Sequence, residues 1–288
     1  MKRILLFVAT NFAIMITLAI VVNVFGFDHY LTRRGIDYPM LMMFSLVWGF
    51  GGAIVSLLMS RAMAKSAMGV QLVDGNTGHA ELDWLYQTVE QLTRKAGLPL
   101  PEIGVYDSPE VNAFATGPSK RSSLVAVSSG LLRSMSHPEV EGVLAHEVSH
   151  IQNGDMVTMT LIQGVVNTFS IFLSRVLAGL LRSRDDRGNS SFLLTMLFQM
   201  VFSFLGMFIV AWFSRAREFR ADAGAATLST RGNMIAALQR LQANQGLIDN
   251  SQPQLATMKI SGKRKGIAGL MSTHPPLEER IAALQQGR

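Results

Sequence analysis

Four long apolar runs constrain the fold of this 288-residue chain more than any other feature. They cover Ile4–Phe27, Tyr38–Ser60, Met156–Leu181 and Phe192–Phe213. A helix needs ~20 apolar residues to cross the hydrocarbon layer of a bilayer, and each run is close to that length or longer. The sequence therefore predicts an integral membrane protein with two hydrophobic helical hairpins.

The first and third runs carry further signals. The first follows Lys2 and Arg3, as a signal peptide would, but it is too long for the apolar part of one, and a second run comes directly after it. We therefore expect an anchor that the protein retains. The third run contains Gln163, Asn167 and Arg175, which predicts partial burial against other helices. The second hairpin either crosses the bilayer twice or only dips into it.

The charged residues exclude some functions. The chain has 26 Lys and Arg against 20 Asp and Glu, which gives a net charge of +6. Because the basic residues are scattered near the ends of the apolar runs, they favour contact with anionic lipid headgroups, and no nucleic-acid partner is expected. The sequence contains no cysteine, which excludes a disulfide framework and a zinc site with thiolate ligands.

Basic residues around the first hairpin predict its orientation, because cytoplasmic ends of membrane segments carry an excess of Lys and Arg. Two residues, Arg33 and Arg34, lie in its short loop. Four flank its two ends, namely Lys2, Arg3, Arg61 and Lys65. We therefore expect both ends of this hairpin in the cytoplasm. The counts around the second hairpin do not decide its orientation.

The pattern H-E-x-x-H is formed by His146, Glu147 and His150. On a helix the two histidines are one turn apart, so both imidazoles project from one face and can bind a single zinc ion. Glu147 is rotated by about 100° from His146, close enough to act on a water molecule at that metal. The pattern predicts a zinc hydrolase, and the alternative is two histidines that happen to be four residues apart.

Local signals predict a helix around this pattern. Ser136 and Glu139 have the spacing of a capping box, Pro138 lies in the first turn, and Gly154 offers a C-terminal stop. The metal-facing positions therefore lie away from the fraying ends of the helix. The surrounding polar region predicts another helix and three extended segments, at Glu81–Ala96, Ile103–Tyr106, Asn112–Gly117 and Ser123–Val127.

A catalytic zinc site normally has three protein ligands, so a third must come from elsewhere in the chain. The residues after His150 lack the glycine and histidine of the longer pattern that would supply it. The better candidates are Glu218 and Asp222, which are four residues apart and follow the fourth apolar run. One carboxylate can bind zinc while the other accepts the free N–H of a histidine ligand. The alternative is that both acids pair with neighbouring arginines on an exposed face.

Both ligand segments border apolar runs. Met156 follows His150 by six residues and Glu218 follows Phe213 by five, roughly 9 Å and 7–8 Å along a helix. We therefore expect the zinc within about one or two helical turns of the bilayer surface. The chain divides into a membrane hairpin (1–60), a soluble region with the H-E-x-x-H helix (61–155), a second hydrophobic hairpin (156–214) and a third-ligand helix with a soluble C-terminal region (215–288).

Four segments together resemble the HtpX family of membrane zinc endopeptidases, which is similar in its catalytic core to the CAAX prenyl proteases. They read H-E-V-S-H-I-Q-N-G-D at 146–155, S-R-A-R-E-F-R-A-D at 214–222, V-N-A-F-A-T-G at 111–117 and S-T-H-P-P-L-E-E-R at 272–280. The resemblance covers the full length of the chain. It implies a mainly α integral membrane protein in which a zincin-like metalloprotease domain contains a small β-sheet, together with two hydrophobic helical hairpins.

The resemblance also implies the metal site. One zinc ion per chain would be bound by His146, His150 and Glu218, with Glu147 as the general base. Asp222 would hold one of the zinc histidines through its ring N–H. The implied function is degradation of misfolded or unassembled membrane proteins at the cytoplasmic face of the bacterial inner membrane, within heat-shock quality control.

Two further groups of residues take roles from the resemblance. His274 and Arg280 would stabilise the oxyanion, although the sequence alone favours a different interpretation of His274, as a residue that starts a helix before Pro275 and Pro276. An edge strand would pair with the substrate backbone, and an ordinary edge strand without a ligand is the alternative. That strand consists of Asn112, Ala113, Phe114 and Ala115.

Two other functions stay open at this point. One is a CAAX-type processing enzyme specific for lipidated C-termini, which would need an enclosed chamber of many helices. The other is a membrane scaffold or adaptor in which the zinc helix is structural or inactive. The intact Glu147 argues against the scaffold, because a structural metal site has no need of that carboxylate.

Overall fold

The computed structural model describes residues 37–181, 189–248 and 274–287. The first apolar run, Ile4–Phe27, and the loop at 182–188 lie outside these ranges. The described helices are Tyr38–Met68 (α1), Ala80–Lys95 (α2), Ser129–Ser134 (α3), His137–Asn153 (α4), Asp155–Leu180 (α5), Asn189–Leu228 (α6), Arg231–Ile248 (α7) and Leu277–Gln285 (α8). The described strands are Gln71–Leu72 (β1), Glu102–Tyr106 (β2), Ala113–Ser119 (β3) and Ser122–Ser128 (β4).

Helices α1, α5 and α6 are each long and apolar enough to cross a membrane. They expose many large apolar side chains, including Met43, Met200 and Trp212. Such continuous apolar surface indicates contact with lipid rather than water. The second, third and fourth apolar runs are thus confirmed as helices. Helix α6 continues without a break from the fourth run into the segment that carries Glu218 and Asp222.

The third run packs against α1 through the polar residues that predicted its burial. Asn167 Nδ2 lies 3.5 Å from the carbonyl oxygen of Gly49, and the guanidinium of Arg175 lies 4.5 Å from the ring centroid of Phe44. A Cβ at Gly49 would overlap the side chain and backbone of Thr168. Close backbone approach at a small residue is typical of helix contacts in membranes.

The strands form one sheet in the order β1-β2-β4-β3. β2 and β4 are parallel, whereas β1 and β3 run antiparallel to their neighbours. The predicted strands at Ile103–Tyr106 and Ser123–Val127 are confirmed, each slightly longer than the sequence indicated. β4 lies inside the sheet with both faces covered, which explains its uninterrupted apolar sequence. β3 therefore forms one edge.

Helix α4 is the centre of the soluble core. Leu144, Val148 and Ile151 are buried and pack in one cluster with residues of α2, the sheet and α7. Its first turn is fixed by the backbone N–H of Ser136, which donates to Glu139 Oε2 at 2.7 Å, so the predicted capping box is confirmed. Gly154 ends α4 with a left-handed φ of 68°, and α5 begins at the next residue. A rigid soluble helix thus leads directly into a membrane helix.

Candidate active site

His146 and His150 project from one face of α4, and both are buried. Their Nε2 atoms lie 3.1 Å apart. Each Nδ1 faces a carboxylate oxygen. For His146 this is Asp222 Oδ1 at 2.9 Å, and for His150 it is Asp155 Oδ2 at 2.6 Å. In a neutral imidazole, an Nδ1–H that donates to a carboxylate leaves Nε2 unprotonated, so both Nε2 atoms can bind one metal ion once the rings are neutral.

Glu218 faces the two imidazoles from α6 and is 1% exposed. Its Oε1 lies 3.4 Å from His150 Nε2, and its Oε2 lies 3.5 Å from His146 Nε2. Neither oxygen makes a well-aligned hydrogen bond with the described residues. In a tetrahedral zinc site with bonds of about 2.0–2.1 Å, ligand atoms are about 3.3–3.4 Å apart. The three side chains therefore fit a zinc ion, and they form a group that can hold a metal.

The electrostatics of the two histidines favour a cation. Burial lowers the pKa of His146, but the carboxylates of Asp222 and Glu218 outweigh it and raise that pKa to about 9. Burial also opposes the shift at His150, where Asp155 and Glu218 raise the pKa. Surroundings that stabilise an imidazolium cation also stabilise a metal cation in its place, because both interact with the same carboxylates.

His274 and Arg280 reach the site from the C-terminal segment. His274 Nδ1 lies 3.0 Å from Glu218 Oε2, and Arg280 Nη1 lies 3.4 Å from the same oxygen. Arg280 also donates from Nε to Asp222 Oδ2 at 2.8 Å and from Nη2 to Asp222 Oδ1 at 2.6 Å. Asp222 thus engages Nε and Nη2 of Arg280, whereas Nη1 faces Glu218.

A cavity of about 290 Å³ lies beside these residues. Its lining includes His146, His150 and Glu218 together with Glu147, His274 and Arg280. Residues of β3 and apolar residues of α3, α4, α5 and α7 also line it. Glu147 is partly exposed to this cavity, whereas the flanking histidines are buried. Glu147 can therefore contact a molecule that enters this cavity.

Strand β3 forms one wall of the cavity. The N–H of Ser128 donates to the carbonyl of Asn112 at 2.9 Å, which sets the alternation of hydrogen bonds along β3 and β4. The backbone of Phe114 therefore pairs with β4, whereas the N–H and C=O groups of Ala113 and Ala115 point away from it. No strand in the described ranges pairs with that outer edge. Asn112 lies just before the strand rather than within it.

The structure excludes one alternative for the third-ligand segment and identifies a further residue of the site. Glu218 and Asp222 are both buried, so their pairing with arginines on an exposed face is wrong. No sequence pattern predicted a role for Asp155, yet its carboxylate is the partner of His150. Its five-residue separation from His150 does not place the two on one helical face, and the turn at Gly154 brings them together.

Comparison with known proteins agrees with this architecture. Residues 79–288 match Peptidase family M48. The chain is 52% identical to the Protease HtpX homolog of Herminiimonas arsenicoxydans, with 99% of each chain covered. It is 49% identical to Protease HtpX of Tolumonas auensis, with 100% of each covered. The crystal structure of S. mikatae Ste24p matches with a TM-score of 0.64 at 23% identity over 96% of this chain, which spans 65% of that protein.

The fold and the site define a metal-dependent peptidase of the membrane, in which a soluble H-E-x-x-H helix is joined to apolar helices. The chain belongs to peptidase family M48 and, within it, to the HtpX proteases. The expected family is thereby confirmed, as are the predicted fold class and the hydrolase activity.

Proposed function

We propose that this protein is a zinc-dependent endopeptidase that degrades misfolded or unassembled membrane proteins at the cytoplasmic face of the bacterial inner membrane. The placement of His146, His150 and Glu218 carries the proposal. Their three ligand atoms converge at zinc-like distances, and they come from a soluble helix and from a helix that continues into the membrane. A soluble peptidase that acts far from the bilayer would not need a ligand helix that continues into the membrane.

The proposed reaction is hydrolysis of a peptide bond. Zinc, when bound, lowers the pKa of a water molecule and polarises the scissile carbonyl. Glu147 accepts the proton of the attacking water at its carboxylate and passes it to the leaving nitrogen. The Nη1 group of Arg280 and the ring of His274 stabilise the charge that develops on the carbonyl oxygen. Asp222 holds the His146 ring in its orientation.

The proposed substrate-binding element is the edge strand β3. The outward N–H and C=O groups of Ala113 and Ala115 can pair with an extended substrate as an additional strand. Such pairing uses the backbone and requires an unfolded segment. The exposed apolar side chains of α6 end at Phe213, and Glu218 follows by five residues, roughly 7–8 Å along the helix. Unfolded polypeptide beside the membrane is therefore the proposed substrate class.

Purified full-length protein in liposomes tests the proposal. An unfolded reporter is supplied either free or tethered to the membrane, with zinc and with or without a chelator. Cleavage should require zinc, stop with the chelator and be faster for the tethered reporter. Glu147→Gln should keep its zinc and lose activity by at least the ~10²–10⁴ typical of general acid–base catalysis, whereas Glu218→Gln should lose zinc. Equal cleavage of both reporters would contradict the membrane-linked substrate class.

A further inference from the structure

The carboxylate of Asp155 lies directly behind the second histidine of the metal centre. Its Oδ2 is 2.6 Å from His150 Nδ1, and the residue is 1% exposed. Asp155 is the first residue of α5, immediately after the left-handed turn at Gly154. Its second oxygen lies 3.5 Å from the guanidinium of Arg220 on α6.

We propose that Asp155 is a positioning residue that fixes the tautomer and ring orientation of His150 and ties this half of the metal centre to the membrane helix α5. The inference rests on the proposed zinc site. The Nδ1–H of His150 donates to Asp155, which directs the Nε2 lone pair toward the point where His146 Nε2 and a Glu218 oxygen also converge. Without an acceptor at this position, the ring of His150 can rotate, and its proton can lie on Nε2 instead of Nδ1.

The two histidines are held by equivalent contacts from different membrane helices. Asp222 on α6 holds His146 at 2.9 Å, and Asp155 on α5 holds His150 at 2.6 Å. Arg220 of α6 approaches Asp155 of α5 and so links the two helices at the edge of the site. Correct docking of both membrane helices against α4 therefore sets the orientation of both imidazoles.

A simpler role for Asp155 would be to start α5. A carboxylate in the first turn of a helix interacts favourably with the helix dipole. That role would not require burial or a contact with His150, because the dipole acts equally on an exposed side chain. A role limited to starting α5 predicts that substitution of Asp155 lowers the stability of the protein but leaves its metal affinity unchanged. The two roles are therefore separable by measuring the metal.

The test uses full-length protein in detergent, carrying Glu147→Gln so that proteolysis does not interfere. Asp155→Ala and Asp155→Asn are compared with Thr158→Ala, an exposed residue of the same helical turn whose hydroxyl bonds to the Gly154 carbonyl. Zinc affinity is measured by competition with a chelator. The visible absorption of Co²⁺-substituted protein reports the geometry of the ligands, and thermal unfolding is followed without metal.

Asp155→Ala should weaken zinc binding by about 10–100-fold, as is typical for partners of metal-bound histidines, and should change the Co²⁺ spectrum. Asp155→Asn should lie between Ala and the parent, because its amide oxygen still accepts a hydrogen bond but carries no charge. Thr158→Ala should match the parent. Parental zinc affinity and an unchanged Co²⁺ spectrum in both Asp155 variants would overturn the positioning role. A parent protein without stoichiometric zinc would overturn the proposed function itself, and this role with it.

Discussion

Arg280 binds both carboxylate oxygens of Asp222, at 2.6 and 2.8 Å, and both side chains are buried. Asp222 in turn lies 2.9 Å from His146 Nδ1. An arginine from the C-terminal helix therefore holds the carboxylate that orients a histidine on α4. Burial opposes the charge of this arginine, but Asp222 outweighs it and raises the pKa of Arg280, so the ion pair persists across the physiological range. The C-terminal segment is thus part of the site.

Arg280→Gln should destabilise the protein strongly. Removing one partner of a buried ion pair leaves the other charge uncompensated and typically costs about 3–5 kcal/mol. A fall in melting temperature, with weaker zinc binding as His146 loses its orientation, is expected. The matched control is Arg240→Gln, which removes an ion pair whose arginine is 46% exposed and should cost at most about 1 kcal/mol. Equal melting temperatures for the two variants would show that the buried pair contributes no more than a surface one.

Proline at two adjacent positions of β3 should affect different properties, cleavage at one position and stability at the other. Ala113→Pro removes an N–H that points away from β4, so the protein should fold and bind zinc, while cleavage of all unfolded substrates falls together. Phe114→Pro removes an N–H that pairs with β4 and should lower stability instead. Rates on several unrelated unfolded substrates, zinc content and melting temperature separate these outcomes. Normal cleavage by Ala113→Pro would exclude the edge strand as the substrate-binding element.

The contact between the two ligand helices should depend on Gly224. A Cβ at this position of α6 would lie 2.6 Å from Ser149 Oγ and 2.9 Å from Ser149 Cβ. Gly224→Ala should therefore push α6 away from α4, lower stability by about 1–3 kcal/mol and weaken zinc binding. Ser149→Gly in the same protein should restore zinc binding and part of the stability, because a glycine inside α4 itself costs up to about 1 kcal/mol. Gly232→Ala, where the nearest atom is 3.9 Å away, serves as the control and should be neutral or stabilising. Failure of the double variant to recover would mean that this contact does not set the helix spacing.

The capping box of α4 should make stability depend on pH. Partial burial opposes the charge of Glu139, but hydrogen bonds from Ser136 and the nearby Arg240 lower its pKa below the ordinary 4.5. A pKa that is lower in the folded state means that the carboxylate stabilises the fold above about pH 4.5 and loses this effect as the pH falls through the folded-state pKa. Glu139→Gln should thus reduce the melting temperature at pH ~7, and the difference from wild type should shrink at pH ~4. A difference that is independent of pH would assign the effect to packing.

Both soluble parts of the chain should face the cytoplasm. The excess of Lys and Arg at the ends of the first hairpin predicts that both ends are cytoplasmic, and a shared metal site requires α4 and the ligand segment of α6 on the same side. Compartment-sensitive reporters fused after Lys65 and after Arg288 should both report the cytoplasm. A periplasmic signal from either fusion would reverse the proposed orientation.

The parts of the site that the sequence predicted are those coded by local patterns. The capping residues of α4 and the spacing of His146 and His150 act within one helix, and Glu218 and Asp222 share a face for the same reason. The resemblance placed Arg280 in the site, but its contact with Asp222 was not predicted because it depends on long-range packing. The contact of Asp155 with His150 was missed because it depends on a change of chain direction. Arg280 meets Asp222 across 58 residues, a contact that no helical period encodes.

Helix α6 runs from Asn189 to Leu228 as one rod of 40 residues, about 60 Å long. Its N-terminal part is long and apolar enough to cross a hydrocarbon layer. Its C-terminal part carries Glu218 and Asp222. A membrane helix adapts to a thinner or thicker bilayer by tilting, and an unbroken rod transmits that tilt to its far end. A change in acyl-chain length is therefore expected to reach the side chains of Glu218 and Asp222 through α6, so that bilayer thickness would affect the geometry of the site.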